Sequence, residues 1–276
     1  MDGKLEPGLY IVATPIGNLS DLSPRAALTL AGADLIAVED SRVTAKLLHH
    51  IGVKRPMVPY HDHNADRVRP GLIDEMRGKA VALVSDAGTP LISDPGYKLV
   101  RDARAAGIPV TTIPGPSALI SALTLAGLPT DRFAFFGFLP SKPGARAKAI
   151  AGAAGFDGTL IFYESGPRLG ATLAALREGL GDREASVVRE ISKRFEETVS
   201  GMLSELAERY EAAPPKGEIV IVVAPAPEAE AANEAEIDKA LRDRMADSSP
   251  SRAAAEVARS LGLPRRLVYE RAQKLK

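Results

Sequence analysis

Cysteine is missing from this sequence altogether. Its absence removes disulfides, thiolate nucleophiles and Cys-ligated metals at once. It is compatible with a reducing cytoplasm, which is the expected compartment. Long apolar runs are missing too. No stretch of about 18 uninterrupted apolar residues occurs, so no membrane-spanning helix is expected. Residues 1–7 are polar and mixed in charge, without the basic and apolar regions of a secretory signal. Net charge is a third absence, because 35 Lys and Arg balance 35 Asp and Glu. A whole-molecule basic field is not available to draw in nucleic acid, so any RNA binding must use local patches. No strand-to-helix turn carries Gly-x-Gly-x-x-Gly or Gly-x-x-x-x-Gly-Lys-Ser/Thr. Rossmann-type dinucleotide binding and P-loop hydrolysis both lose support. No internal repeat is visible.

What is present is alternation. Apolar segments at 9–13, 34–40, 57–60, 80–85 and 109–113 have strand length. Helical segments at 26–30, 44–50, 66–77 and 97–106 separate them. Ser23 followed by Pro24 reads as a helix start, and Gly78 and Gly107 read as stops. Strands that alternate with helices and lack a period of two predict a mostly parallel sheet covered on both faces. A second set of strands is expected at 133–136, 159–163, 186–191, 197–200 and 218–223, with helices at 167–180 and 204–211. Residues 141–151 are basic, contain Gly and Pro, and are expected to form a mobile loop. Residues 224–233 are dominated by Ala and Pro and read as a linker. Helices are expected after it at 237–245, 251–261 and 265–275, the last two broken by Gly262-Leu263-Pro264. From Ser251 onward the charge is about +5. The fold class is therefore α/β, with two α/β lobes and a cleft between them, plus a small C-terminal helical domain. The expected boundaries are 1–115, 116–225 and 234–276, the last helix-turn-helix-like.

Ser85-Asp86-Ala87-Gly88-Thr89-Pro90, continuing to Gly96, is the densest chemical signal. It follows a buried strand at the edge where open parallel sheets bind ligands. Its small residues let backbone approach a flat ligand, and Asp86 suits an ammonium or a ribose hydroxyl. The plain alternative is a strand-to-helix turn capped by Asp and Ser. Three similar loops weigh against that: Thr14-Pro15-Ile16-Gly17-Asn18-Leu19, Pro114-Gly115-Pro116-Ser117-Ala118 and Tyr163-Glu164-Ser165-Gly166-Pro167-Arg168. Each follows an apolar strand, and together they can line one cleft, with Pro15 and Gly17 among the candidate cofactor contacts.

These strings, with Glu39-Asp40-Ser41-Arg42 and Tyr60-His61-Asp62-His63-Asn64, resemble the bacterial small-subunit ribosomal RNA methyltransferase I family of the tetrapyrrole methylase-like superfamily. The resemblance runs from about Leu9 to Val223, and the helical tail also fits it. Each string alone is weak, but the set is specific. The resemblance implies two α/β domains, S-adenosylmethionine in the cleft, a homodimer, and 2′-O-methylation of a cytidine ribose in the decoding region of 16S rRNA. It places the cofactor against Asp86, Gly88, Thr89 and Pro90, against Ser117 and Ala118, and beside Tyr163 and Glu164. A cationic sulfonium and amino group suit a carboxylate and carbonyls better than a phosphate nest would. The family usually reads Tyr-Glu-Ser-Pro-His-Arg where this chain has Gly166-Pro167 before Arg168, so that position is given no catalytic role.

Methyl transfer to a hydroxyl needs in-line alignment and then a proton acceptor. Asp40 and Glu39, and His61 or His63, are the candidate acceptors; for the two histidines the alternative is a cleft-lining contact to substrate or a plain loop hydrogen bond. Arg42 is a candidate clamp for an RNA phosphate. The same four residues also read as a helix cap with a surface ion pair. His61 and His63 lack a third ligand at suitable spacing, so no metal is expected. Lys142, Arg146 and Lys148, with Arg265, Arg266, Arg271 and Lys274 in the tail, are the candidate RNA contacts; the alternative is a solvated charge run. The expected partner is 16S rRNA or the small ribosomal subunit. Two other functions compete. A precorrin-type tetrapyrrole methyltransferase would share the fold but need a broad apolar cleft. A nucleic-acid-binding regulator would use the tail as reader and the body as ligand sensor.

Overall fold

The computed structural model describes residues 5–227, 234–261 and 265–275. The chain divides into two compact units, with the boundary in the sequence between Pro225 and Ala226. The first unit holds two five-stranded sheets.

The first sheet contains β1 (Gly8–Val12), β2 (Leu35–Val38), β3 (Met57–Pro59), β4 (Ala80–Val84) and β5 (Val110–Ile113), in the order β3-β2-β4-β1-β5. Every pairing is parallel, as the continuous apolar runs predict. Successive side chains point to opposite faces. Val81 and Leu83 join Leu9, Leu72 and Leu99 on one side. Ala82 and Val84 join Val12, Leu30 and Leu48 on the other. Helices α1 (Pro24–Gly32) and α2 (Ser41–His50) cover the second side, and α3 (Ala65–Met76) and α4 (Tyr97–Ala105) the first. Ser23 caps α1 as expected, its hydroxyl accepting from the Ala26 amide at 3.1 Å. β2 is shorter than the expected 34–40. The Asp34 carboxylate accepts the Ala80 amide at 2.9 Å, and Asp40 leaves the strand to cap α2.

The second sheet contains β6 (Phe133–Phe138), β7 (Thr159–Ser165), β8 (Glu184–Arg189), β9 (Glu197–Met202) and β10 (Glu218–Val223), ordered β6-β7-β10-β8-β9. Only β6 and β7 run parallel; the other pairs are antiparallel. α5 (Ala118–Ala126) packs on one face with Ile161, Val188, Val220 and Val222. α6 (Pro143–Ala153), α7 (Leu169–Leu180) and α8 (Leu203–Ala212) cover the other face with Leu160, Phe162 and Ile221.

One expectation is overturned here. Residues 141–151 are not a mobile loop but mostly the helix α6. Pro143 occupies its first turn, where a missing amide costs nothing. Alternate alanines from Ala145 to Ala153 are the best helix formers and outweigh Gly144 and Gly152. Ile150 and Ala153 then anchor the helix in the core.

Among the described residues the second unit contains three helices, α9 (Glu234–Met245), α10 (Pro250–Ser260) and α11 (Arg265–Lys274). They share a small core of Ile237, Leu241, Ala253, Val257, Val268 and Ala272. The Ser249 hydroxyl caps α10, with Pro250 in the first turn. The Gly262-Leu263-Pro264 break and linker residues 228–233 lie outside the described residues.

Gly166, where the chain departs from the family string, has a steric reason. A Cβ there would overlap the Pro215 carbonyl. Gly166→Ala should therefore lower stability by about 1–3 kcal/mol through overpacking. A urea melt checks this, and an unchanged midpoint would contradict it.

Candidate active site

Parallel pairing brings the carboxyl ends of β1, β2, β4 and β5 to one edge of the first sheet. The loops that leave them are tied together. Thr14 and Gly88 exchange backbone hydrogen bonds of 2.9 and 3.0 Å, and Gly88 takes φ 77, a conformation open to glycine at little cost. The Thr89 hydroxyl donates to the Pro116 carbonyl at 3.1 Å. A cavity of about 430 Å³ opens between this edge and the second sheet. Glu39, residues 86–89 and residues 92–94 line it from the first lobe; Ser117, Ala118, Phe138, residues 163–165, Ile191 and residues 217–220 line it from the second.

Seven candidate cofactor residues meet on this wall: Asp86, Gly88, Thr89, Ser117, Ala118, Tyr163 and Glu164. Pro15 and Pro90 are buried and off the wall. Gly17 is also off it. Its φ of 146 and missing Cβ make room for the aliphatic stem of Lys193. Tyr163 faces Phe135 and Phe138, with ring centroids at 4.7 and 5.5 Å. Glu164 is buried, and its carboxylate is committed to other groups. It accepts from the Thr172 hydroxyl at 2.7 Å and the Ser165 amide at 2.8 Å, and it pairs with Arg168 at 3.2 Å. It braces the strand end, while the wall's charge comes from other carboxylates.

Those are Glu39, Asp86 and Asp94, with Glu218 paired to Lys193 at 2.8 Å. The Asp86 carboxylate accepts the Asp40 amide at 3.0 Å, and the Asp86 amide donates to Glu39 at 3.4 Å. Partial desolvation raises both carboxyl groups from their ordinary values; repulsion from Asp86 and Asp62 adds to the shift of Glu39, and repulsion from Asp40 to that of Asp86. Asp94 is pushed furthest, to about 6, by burial first; the Ser85 hydroxyl opposes the shift, and Glu39, Asp86 and Asp62 reinforce it. Asp94 was not among the sequence candidates. The available signal was the second Ser-Asp step of the same string, Ser93-Asp94 after Ser85-Asp86. Leu91 and Ser93, just before Asp94 in the chain, take φ 77 and 64, strained backbone of a kind that concentrates at functional sites. Ile191 and Glu218 were also missed, and nothing in the local sequence marks them.

Asp40 and Arg42 stand off the wall. The Asp40 carboxylate caps α2 through the Arg42 amide at 2.8 Å and meets the Arg42 guanidinium at 2.6 Å. The Arg42 hydrogen bonds hold the Asp40 carboxyl down at about 2, where it is a feeble proton acceptor. The cap-and-ion-pair alternative describes this geometry. His61 and His63 sit edge to face with centroids 6.0 Å apart, off the wall. Among the described residues, no three His, Cys, Asp or Glu side chains are grouped to hold a metal.

The candidate RNA contacts divide. Lys142 and Lys148 are exposed beside and on α6, and Arg146 is half-buried. In the tail unit Arg265, Arg266 and Lys274 are exposed. Arg265 donates to the Ser251 hydroxyl at 3.4 Å, and Arg266 pairs with Glu270 at 3.1 Å. Arg271 is mostly covered and bridges α11 to Asp238 of α9 at 2.6 Å, which gives it a packing role.

Arg42→Ala should raise the Asp40 carboxyl from about 2 partway to its ordinary value, because the backbone donor remains. Carboxyl-carbon NMR titration reads this directly. An unmoved titration would show that Arg42 does not set the charge of Asp40.

Residues 8–207 match the family model for tetrapyrrole (corrin/porphyrin) methylases, and residues 231–276 match that for the RsmI C-terminal HTH domain. The ribosomal RNA small subunit methyltransferase I of Erythrobacter litoralis is 53% identical over 272 residues, 99% of this chain and 96% of that one. Its counterpart from Mesorhizobium japonicum is 50% identical over 275 residues, covering 99% and 93%. Among solved structures, uroporphyrin-III C-methyl transferase from Thermus thermophilus, complexed with S-adenyl homocysteine, superposes with a TM-score of 0.54 at 22% identity, over 78% of this chain and 96% of that one. That last likeness concerns the fold; the near-full-length identity to the first two goes further, and the chain belongs to the ribosomal RNA small subunit methyltransferase I family.

Proposed function

We propose that the cavity binds S-adenosylmethionine and that the chain transfers its methyl group to a cytidine 2′-hydroxyl in the decoding region of 16S rRNA. One observation carries the cofactor reading. The cavity wall includes Glu39, Asp86, Asp94 and the Lys193-paired Glu218, but among the described residues no Lys, Arg or His. Partial desolvation raises the cost of the charges on Glu39 and Asp94, and the more exposed Asp86 adds negative charge beside them, so a bound cation is favoured. A ligand with a sulfonium and an ammonium meets that need, whereas a phosphate-rich ligand would be repelled. The volume also lies in the range of small-molecule sites. Near-full-length identity to ribosomal RNA small subunit methyltransferases, rather than the cavity's charge, disfavours a tetrapyrrole acceptor. Family membership supplies the acceptor class, and the position on the RNA rests on the family resemblance.

Bound there, the cofactor supplies an activated methyl carbon. The protein's part is alignment and proton removal. The tied loops of Thr14, Gly88, Thr89 and Ser117 fix one side of the cavity, and Tyr163 and Phe138 form part of the other. Asp94 is the best matched acceptor for the hydroxyl proton, with Glu39 second. The exposed Lys142, Lys148, Arg265, Arg266 and Lys274 suit contacts to the phosphate backbone. Exposed Phe133 and Phe136 on the edge strand β6 support a homodimer. No helix among the described residues is long and apolar enough to cross a membrane, and a cytoplasmic location is proposed with the ribosomal substrate.

The deciding experiment gives the protein labelled S-adenosylmethionine and small subunits from cells lacking this gene, then maps the label by mass spectrometry. A single cytidine 2′-O-methyl is expected; label on a base, or on an added tetrapyrrole instead, would overturn the reading. Asp94 must be ionised to accept a proton, so activity should be present above about pH 6 and fall as pH drops through that value. The cationic cofactor should move that limb lower. Asp94→Asn should lower kcat by about 10²-fold or more and abolish the limb. A variant that keeps the wild-type profile removes Asp94 from proton transfer.

A further inference from the structure

β8 and β9 are joined by residues 190–196, a longer connection than the two to five residues usual for a hairpin. Its conformation is strained and heavily braced. Glu190 and Ser192 take φ 49 and 65. The Glu190 carboxylate accepts from the Glu218 amide at 3.1 Å and from Lys193 Nζ at 3.1 Å, and Lys193 also reaches Glu218 at 2.8 Å. Gly217 leaves space for that carboxylate, and Gly17 leaves space for the Lys193 stem. The Ser192 hydroxyl bonds Asp21 of the first lobe. The turn is thus pinned to both lobes at the cavity mouth, since Ile191 and Glu218 line the cavity.

Two side chains at the turn's tip take no part in this bracing. Phe195 is 64% exposed. Arg194 lies with its guanidinium 5.6 Å from the Phe195 ring centroid and has no hydrogen-bond or ion-pair partner among the described residues. Its neighbours are all committed: Arg189 to Glu197, Lys193 to Glu190 and Glu218. A rigid turn that holds an apolar ring in water beside a hydrated, unpaired cation presents a surface that a merely structural connection does not need.

We propose that Arg194 and Phe195 form a platform for the RNA strand beside the reacting ribose, Phe195 stacking on a neighbouring unpaired base and Arg194 pairing with its phosphate. The inference rests on the reading of this chain as an RNA methyltransferase. It also resolves an electrostatic conflict. The carboxylate wall that suits a cationic cofactor repels phosphate, so the backbone must be gripped outside the cavity, and the hairpin tip supplies an unpaired cation next to its mouth. Aromatic stacking tolerates any base, while the arginine fork fits a phosphate in bidentate fashion.

Phe195→Ala, Phe195→Trp, Arg194→Ala and the wild type are compared by KM for small subunits, by co-sedimentation with small subunits, by calorimetry with S-adenosylmethionine and by analytical ultracentrifugation. Phe195→Ala should weaken subunit binding and raise KM by about tenfold, the lower end of what one lost base stack yields. Phe195→Trp should restore both. Arg194→Ala should weaken binding and flatten its salt dependence by about one phosphate contact. Cofactor affinity and oligomeric state should stay as in the wild type. Unchanged subunit binding in both alanine variants would overturn the proposal. So would dissociation into smaller species, which would make the tip a contact between copies. A wild type that binds small subunits without labelling them would count against the functional reading instead, and the binding comparison would still decide the platform.

Discussion

Parallel hydrogen bonding in the first sheet has a geometric consequence on which the site depends. Parallel strands cannot be joined by tight turns, so each must return through a crossover, and all their carboxyl ends gather on one edge. β1, β2, β4 and β5 therefore deliver Ile16, Glu39, Asp86 and Ser117 to one place, although these residues are far apart in sequence. The Thr14–Gly88 backbone pair then locks two of the loops together. An antiparallel first sheet would send half of these loops to the opposite edge. The second sheet is mostly antiparallel, and it acts as the facing wall.

Charge is distributed in a complementary way. Carboxylates occupy the cavity, and exposed lysines and arginines lie outside it. A chain with no net charge can hold both a cation and a polyanion only by such separation. Several arginines that look available in the sequence are spent internally. Arg42 neutralises Asp40, Arg168 neutralises Glu164, and Arg271 ties two tail helices together.

The sequence made the first lobe legible because buried parallel strands are uninterrupted apolar runs, and Ser23-Pro24 marks a helix start by chemistry that acts locally. The helix α6 was hidden because Gly144 and Gly152 suggest a loop, while its stabilisation comes from burying Ile150 against the second sheet. Cofactor-wall residues in the Ser85–Gly96 string could be found because small residues next to an aspartate at a strand end have a local meaning. Gly17 was misleading for the same reason: it is required, but by Lys193, which is remote in sequence. The braced turn at 190–196 was not legible at all. Positive φ at Glu190 and Ser192 is imposed by partners such as Asp21 and Glu218, and no propensity of the turn's own residues announces it.

The central claim is that the carboxylates lining this cavity select a cationic ligand. Calorimetry of S-adenosylmethionine and of its neutral-sulfur product, S-adenosylhomocysteine, tests it in the wild type, Glu39→Gln and Asp86→Asn. The two ligands share every contact except those to the charged sulfur and its methyl. Removing a carboxylate should weaken S-adenosylmethionine more than S-adenosylhomocysteine, so that the affinity ratio falls in at least one variant. Equal losses for both ligands, or none for either, would contradict the account.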